Sequence, residues 1–259
     1  PGATEGTFAP IDPASYPEDW DVLTDRLVMG TWRTTVPNIE MHPLAVVVDS
    51  GGEDGVTHNA YAWYRRVRAM GLGKRVFLYK GGSTPDAPDM RETLVGKIGN
   101  KGRNDIPLLH CNPRKLSDAV DAGLRRQTFG PGYIHLPAPR HPTNNPDGWV
   151  SAAFFDELEA EIRDKNGTWV QVRKRNETFD HLRMQRALML RLGVFRVDDW
   201  DKVPMWFAPV AQNTMAITKE DRREVQANTT TPSNPGELKR PYPAPARRKR
   251  PRRSSVAAL

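Results

Sequence analysis

The 259-residue chain carries 38 Lys+Arg against 31 Asp+Glu, 23 prolines and one cysteine, with 38% hydrophobic residues. A lone cysteine, Cys111, excludes a disulfide framework and a cysteine-based zinc site, and fits a reducing compartment. The apolar run Leu44 to Val48 falls far short of the roughly 20 residues that cross a bilayer, and no signal-peptide pattern opens the chain, so a membrane role is not expected.

The net charge of +7 is unevenly placed. After Pro235 stand Lys239, Arg240, Arg247, Arg248, Lys249, Arg250, Arg252 and Arg253 against Glu237 alone. Removing those eight bases and one acid leaves 30 charges of each sign in residues 1–235. The body is neutral, so nucleic-acid binding there has to rest on local patches.

In chain order, residues 1–17 lack periodicity, and without an initiator Met the chain reads as a piece of something longer. Trp20, Leu23, Leu27 and Val28 predict an amphipathic helix over 18–32. A strand follows at 44–49. Thr57 is the expected cap of a helix lined by Ala60, Trp63, Val67 and Met70 and stopped by Gly71. Residues 75–79 read as a strand ending at Lys80-Gly81-Gly82, and 83–106 as a long mobile loop. Residues 108–111 predict a strand, and Pro113 opens a helix to about Arg126. A brief strand at 132–137, a helix over 149–163 and a strand at 169–172 follow. Asn176 is the expected cap of a helix running to Leu192 and stopped by Gly193. This alternation indicates an α/β domain over 1–195. Residues 196–225 form an extension that packs back through Trp200, Trp206 and Phe207, and 226–259 has the composition of a disordered tail.

Two carboxylates stand out. Asp49 ends the β-branched run Val46-Val47-Val48 and precedes Ser50-Gly51-Gly52, so a strand presents it at its C-terminal edge. Such an acid serves a metal, a proton or a turn contact. Asp180 falls in the first turn of the last helix, on a face shared with Met184 and Ala187. The helix dipole explains an acid there but not the apolar surroundings. Hard divalent cations take oxygen ligands from rigid elements, which suits such a pair. Glu53 and Asp54 are possible auxiliary ligands in solvent. Trp20 and Trp63 are read as core, and His110, His135 and His141 as ordinary strand and loop residues. Ser50 lacks a nucleophile elbow.

Val47-Val48-Asp49-Ser50-Gly51-Gly52, Ala60 to Arg66, Arg75 to Gly81, Pro131 to Pro137, Phe155-x-x-Leu158-x-x-Glu161 and Arg175-Asn176-Glu177-x-x-Asp180 occur in one order over residues 18–192. That series resembles the nuclease half of the GpA-type, lambda-like terminase large subunit of tailed phages. The resemblance implies a ribonuclease H-like fold, a mixed sheet flanked by helices, in which three acids hold two Mg2+ or Mn2+ ions for phosphodiester hydrolysis. It makes Asp49 the fourth-strand acid and Asp180 the late-helix acid, and Lys80 a contact for the scissile or adjacent phosphate. The first-strand acid has no counterpart: Asp12 matches a non-catalytic position, so the first strands are expected to be missing and the fragment alone inactive. The ATPase motor, and ATP with it, belongs to an upstream segment, since no Walker loop is present.

The resemblance further implies double-stranded DNA, a terminase small subunit and the procapsid portal as partners, a homo-oligomer on the portal, and the host cytoplasm as setting. Arg247, Arg248, Lys249, Arg250, Arg252 and Arg253 are expected to contact DNA or the portal. Two other readings stay open: a catalytically incomplete DNA- or portal-binding module, and a ribonuclease H-like nuclease unrelated to packaging.

Overall fold

The β-branched and aromatic runs of the chain converge in one four-stranded sheet. In the computed structural model, residues 11–98, 101–130, 132–140 and 150–218 are described. Strands β1 (Trp32–Arg33), β2 (Ile39–Met41), β3 (Val46–Asp49), β4 (Val76–Gly81), β5 (Met90–Ile98) and β6 (Lys101–Cys111) are joined by helix α2 (Val56–Ala69) between β3 and β4. Helix α1 (Asp21–Leu23) precedes them, flanked by a 3-10 turn (Pro17–Trp20) and a π turn (Thr24–Val28). Then come α3 (Pro113–Leu124), α4 (Ala152–Leu158), β7 (Glu161–Arg163), β8 (Trp169–Gln171), α5 (Glu177–Leu192) and β9 (Ala216–Thr218).

The central sheet has the order β3-β4-β6-β5, with β3, β4 and β6 parallel and β5 antiparallel to β6. Side chains alternate between its faces. Val46, Val76, Leu78, Ile106 and Leu108 point to the side covered by α2 and the first helical segment, where Trp20, Val28, Ala60, Trp63 and Val67 complete one buried cluster. Val47, Phe77, Tyr79, Leu109 and Cys111 point to the other, where Leu116 of α3 and Met184, Ala187 and Leu188 of α5 complete a second. The result is a mixed sheet between two helical layers. Trp20 and Trp63 lie in the core, their ring centroids 5.8 Å apart, with indole N–H groups donating to Pro13 O and Thr24 Oγ1.

Several elements differ from the sequence expectation. The helix over 18–32 ends at Val28 as a short 3-10, α and π succession, and β1 and β2 follow it. The stretch 83–106 is largely a hairpin rather than a loop. Its strand β5 is an edge strand with polar residues on both faces, and Gly96 (φ +119°) marks a register shift between Val95 and Lys97. Residues 132–137 contain no strand. Ile134 instead fills the space over Gly123, where a Cβ would meet it at 2.8 Å. The helix over 149–163 stops at Leu158, and Glu161–Arg163 pairs with β8.

The expected caps also change. Gly55 (φ +93°) stands at the N-cap of α2, while Thr57 Oγ1 donates to Ser50 O. Met70, expected on the apolar stripe, is exposed. Beyond Asp198 the chain returns through β9, which joins β2 in a second sheet of order β1-β2-β9; Phe207 is half exposed. His141 and the arginine-rich tail lie outside the described residues.

Candidate functional site

The ends of the parallel strands converge on Tyr79. Asp49 is its register partner on β3, so both side chains leave the sheet toward α3 and α5. The Tyr79 hydroxyl is held above its ordinary range first by burial, with the charges of Asp49 and Glu161 raising it further and Arg183 opposing them.

Asp49 itself is exposed. One oxygen accepts from the Gly51 N–H at 2.9 Å, the turn contact its sequence allows. No side chain among the described residues hydrogen-bonds or ion-pairs with it, which leaves its second oxygen available. Ser50 is fully buried and donates to Tyr79 O, a structural role that fits the absence of a nucleophile elbow. Glu53 and Asp54 face solvent.

Helix α5 packs against both outer strands, β3 and β5. Arg183, in its second turn, acts on Tyr79, whereas Arg191, in its last, lies 5.3 Å from the Phe77 ring centroid. The last turn meets β5 beside the end of β6: Arg191 pairs with Glu92, and Leu190 lines a pocket with Met90, whose register partner is Cys111. Asn176 stands at the N-cap position without capping. Its Nδ2 donates to Glu161 Oε1 at 2.6 Å, and Glu157 of α4 accepts from the Thr178 N–H and hydroxyl in its place.

Arg183 organises this end of the helix. It donates to both oxygens of Glu161 at 3.1 Å and to Ser117 Oγ at 3.2 Å, forms an ion pair with Asp180, and sits 5.4 Å from the Phe179 ring centroid. Side-chain exposure is 14% for Arg183 and 8% for Glu161, so this charge pair is held in a weakly screened environment. Asp180 is more open, at 37%. Its Oδ1, turned inward against the guanidinium, takes no well-directed hydrogen bond. Neither Glu161 nor Arg183 stands out as a site residue in the sequence. The available signal was Glu161 lying within one of the quoted motifs.

Lys80 lies on the same strand edge but on the other face. Its register partner is His110, and both follow the row of Leu78 and Leu108 toward the α2 side. Asp49 therefore leaves the sheet on the face that α5, the helix carrying Asp180, covers, and Lys80 leaves it on the opposite face.

Asp49 and Asp180 supply hard oxygen donors of the kind Mg2+ and Mn2+ prefer. Glu161 is committed to Arg183 and Asn176. Among the described residues no group of three His, Cys, Asp or Glu side chains forms a preassembled cage. The donor chemistry of Asp49 and Asp180 fits a divalent cation. No described helix is long and apolar enough to cross a membrane.

A family model described as terminase large subunit gpA, endonuclease domain, matches residues 4–200. Comparison with curated proteins and with solved structures gives no match.

Proposed function

Because the chain belongs to the endonuclease-domain family of the gpA terminase large subunit, we propose that Asp49 and Asp180 are two of the acids with which this packaging nuclease hydrolyses double-stranded DNA. The family is one of hydrolases that generally use divalent metals. The observation that supports the reading is the side of the sheet the two acids share: Asp49 leaves β3 toward the face that α5 covers, and Asp180 stands in the first turn of α5.

The finer reading is a ribonuclease H-like site. β3 takes the part of that fold's fourth strand, and its outer side has no strand neighbour among the described residues, where an additional acid-bearing strand would attach. Mg2+ or Mn2+ bound by Asp49 and Asp180 supplies neutralisation of the charge that develops at the attacked phosphate. The protein's part is positioning. The Gly51 N–H orients Asp49, and Arg183, fixed by Glu161 and Ser117, orients Asp180. Water adds to phosphorus, the bond to the 3′ oxygen breaks, and a 5′ phosphate and 3′ hydroxyl result. Lys80, from the far side of the edge, holds an adjacent phosphate rather than the scissile one. The small subunit, the portal, oligomerisation on it and an upstream ATPase complete the packaging assembly.

The test is cleavage of a linear duplex with about millimolar Mg2+ or Mn2+ by wild type, Asp49→Asn and Asp180→Asn, supplied within the longer terminase polypeptide. Each substitution is expected to lower cutting by about 10³-fold or more, since each removes a ligand of the reacting centre. Undiminished cutting by Asp49→Asn would refute the assignment. The absence of a three-acid cage among the described residues favours a second reading, a DNA- or portal-binding module. Metal-independent DNA binding with no cutting by the longer polypeptide would select it.

A further inference from the structure

On the face of the sheet opposite the two acids, three basic side chains stand in one row across three neighbouring strands. Lys80 of β4 is in register with His110 of β6, and His110 with Arg91 of β5. All three continue the inward row of Leu78, Leu108 and Thr93 past the end of the core, on the side covered further back by α2. Lys80 and Arg91 are exposed and His110 is partly so. Among the described residues neither Lys80 nor Arg91 has an ion-pair partner. The acid next to Arg91, Glu92, points to the other face, where it pairs with Arg191.

Like charges opposite one another on adjacent strands destabilise a sheet. Between them the His110 imidazole is pushed toward its neutral form by burial first and then by Arg91 and Lys80. A solvated polar face would relieve this by interleaving acids, and this row contains none. At a strand spacing of about 4.8 Å the row spans about 10 Å, enough to meet more than one phosphate of a strand whose charges recur about every 3.4 Å along the duplex axis.

We infer that Lys80, His110 and Arg91 form a phosphate-binding row that grips the DNA backbone on the side of the sheet edge away from Asp49 and Asp180. The DNA then straddles the strand ends, with the acids at the reacting phosphate and the basic row holding neighbouring ones. The inference rests on the nuclease reading for the identity of its ligand, but it is a binding claim and is tested without turnover.

The probe is a fluorescein-labelled duplex in EDTA, titrated with the full chain by anisotropy at several salt concentrations. Arg91→Gln is expected to weaken binding about 3- to 10-fold at about 100 mM salt and to reduce the salt slope by about 0.9, as one phosphate is no longer neutralised. Arg91→Glu should cost more than about 10-fold, and Arg91→Lys should restore most of the affinity. Because the row is self-repelling, the thermal midpoint of Arg91→Gln should not fall below that of wild type. His110→Gln combined with Arg91→Gln should weaken binding further.

Wild-type affinity and slope in both Arg91→Gln and Arg91→Glu would overturn the inference, as would failure of the wild-type chain to bind duplex. Asp49→Asn separates the two claims, since it alters a proposed metal ligand and none of the bases of the row. If cutting by the longer polypeptide survives Asp49→Asn while Arg91 variants lose affinity, the site assignment fails and the row stands. If Asp49→Asn abolishes cutting while Arg91 variants bind normally, the row alone fails.

Discussion

Arg183 lies between a buried glutamate and a half-open aspartate with only 14% of its side chain exposed. Removing one partner of a buried pair leaves the other's charge uncompensated, which costs about 3–5 kcal/mol, whereas replacing both with well-packed neutral groups is often near neutral. Arg183→Ala is therefore expected to lose about that much stability in urea unfolding, and the Glu161→Gln/Arg183→Met double variant to recover most of it. A single-variant loss below about 1 kcal/mol would mean that the pair is screened like a surface ion pair. Cys111 makes a separate prediction. Its buried thiol is pushed up to about 12, so it should resist alkylation at pH 8 in the folded protein and react readily in denaturant. Asp49 was legible in the sequence because a β-branched run ending in Asp-Ser-Gly-Gly has a local meaning. Glu161 and Arg183 were not, since their role comes from a contact between residues 22 positions apart, across a change from strand to helix.

At the scale of elements, Asn112 joins α3 to the chain leading into β5. Its Oδ1 accepts from the Lys115 N–H, and its Nδ2 donates to Pro85 O at 2.9 Å and Ala87 O at 3.0 Å, with the residue 2% exposed. Asn112→Ala removes the cap and both hydrogen bonds to the Pro85 and Ala87 carbonyls, so a loss of about 2 kcal/mol is expected in thermal or urea unfolding. Faster amide exchange in β5 should accompany it. That hairpin escaped sequence reading because β5 is an edge strand. It carries polar residues on both faces, with Arg91 on one and Glu92 on the other, Gly96 interrupts the alternation, and Pro, Asp and Gly lead into it, a composition shared with loops. Strands β3 and β4 and the end of β6 at 108–111 were readable, because strands buried on both faces are continuously apolar, whereas the polar start of β6 was read as loop. The helix over 18–32 had the right apolar face. What the pattern missed was its early end, set by Val28 reaching the core and β1 and β2 pairing beyond it.

Across the whole molecule, the sheet separates two kinds of chemistry by face: Asp49 on the face covered by α5, and Lys80, His110 and Arg91 on the face covered by α2. Alternation along each strand creates that division, so it follows from register, which a sequence alone does not reveal. Charge is divided in the same sense along the chain, with 30 bases and 30 acids up to Pro235 and eight bases against one acid after it. Deleting residues 236–259 should weaken duplex binding and lower its salt slope by about 0.9 for each phosphate that the tail neutralises. An unchanged slope would assign the tail no part in DNA binding. The central claim concerns the acids, and anomalous diffraction from crystals of this chain soaked in Mn2+ addresses it most directly. A peak within about 2 Å of carboxylate oxygens of both Asp49 and Asp180, absent from Asp49→Asn crystals, is the result predicted. No peak between them, or one that persists in Asp49→Asn, would contradict it.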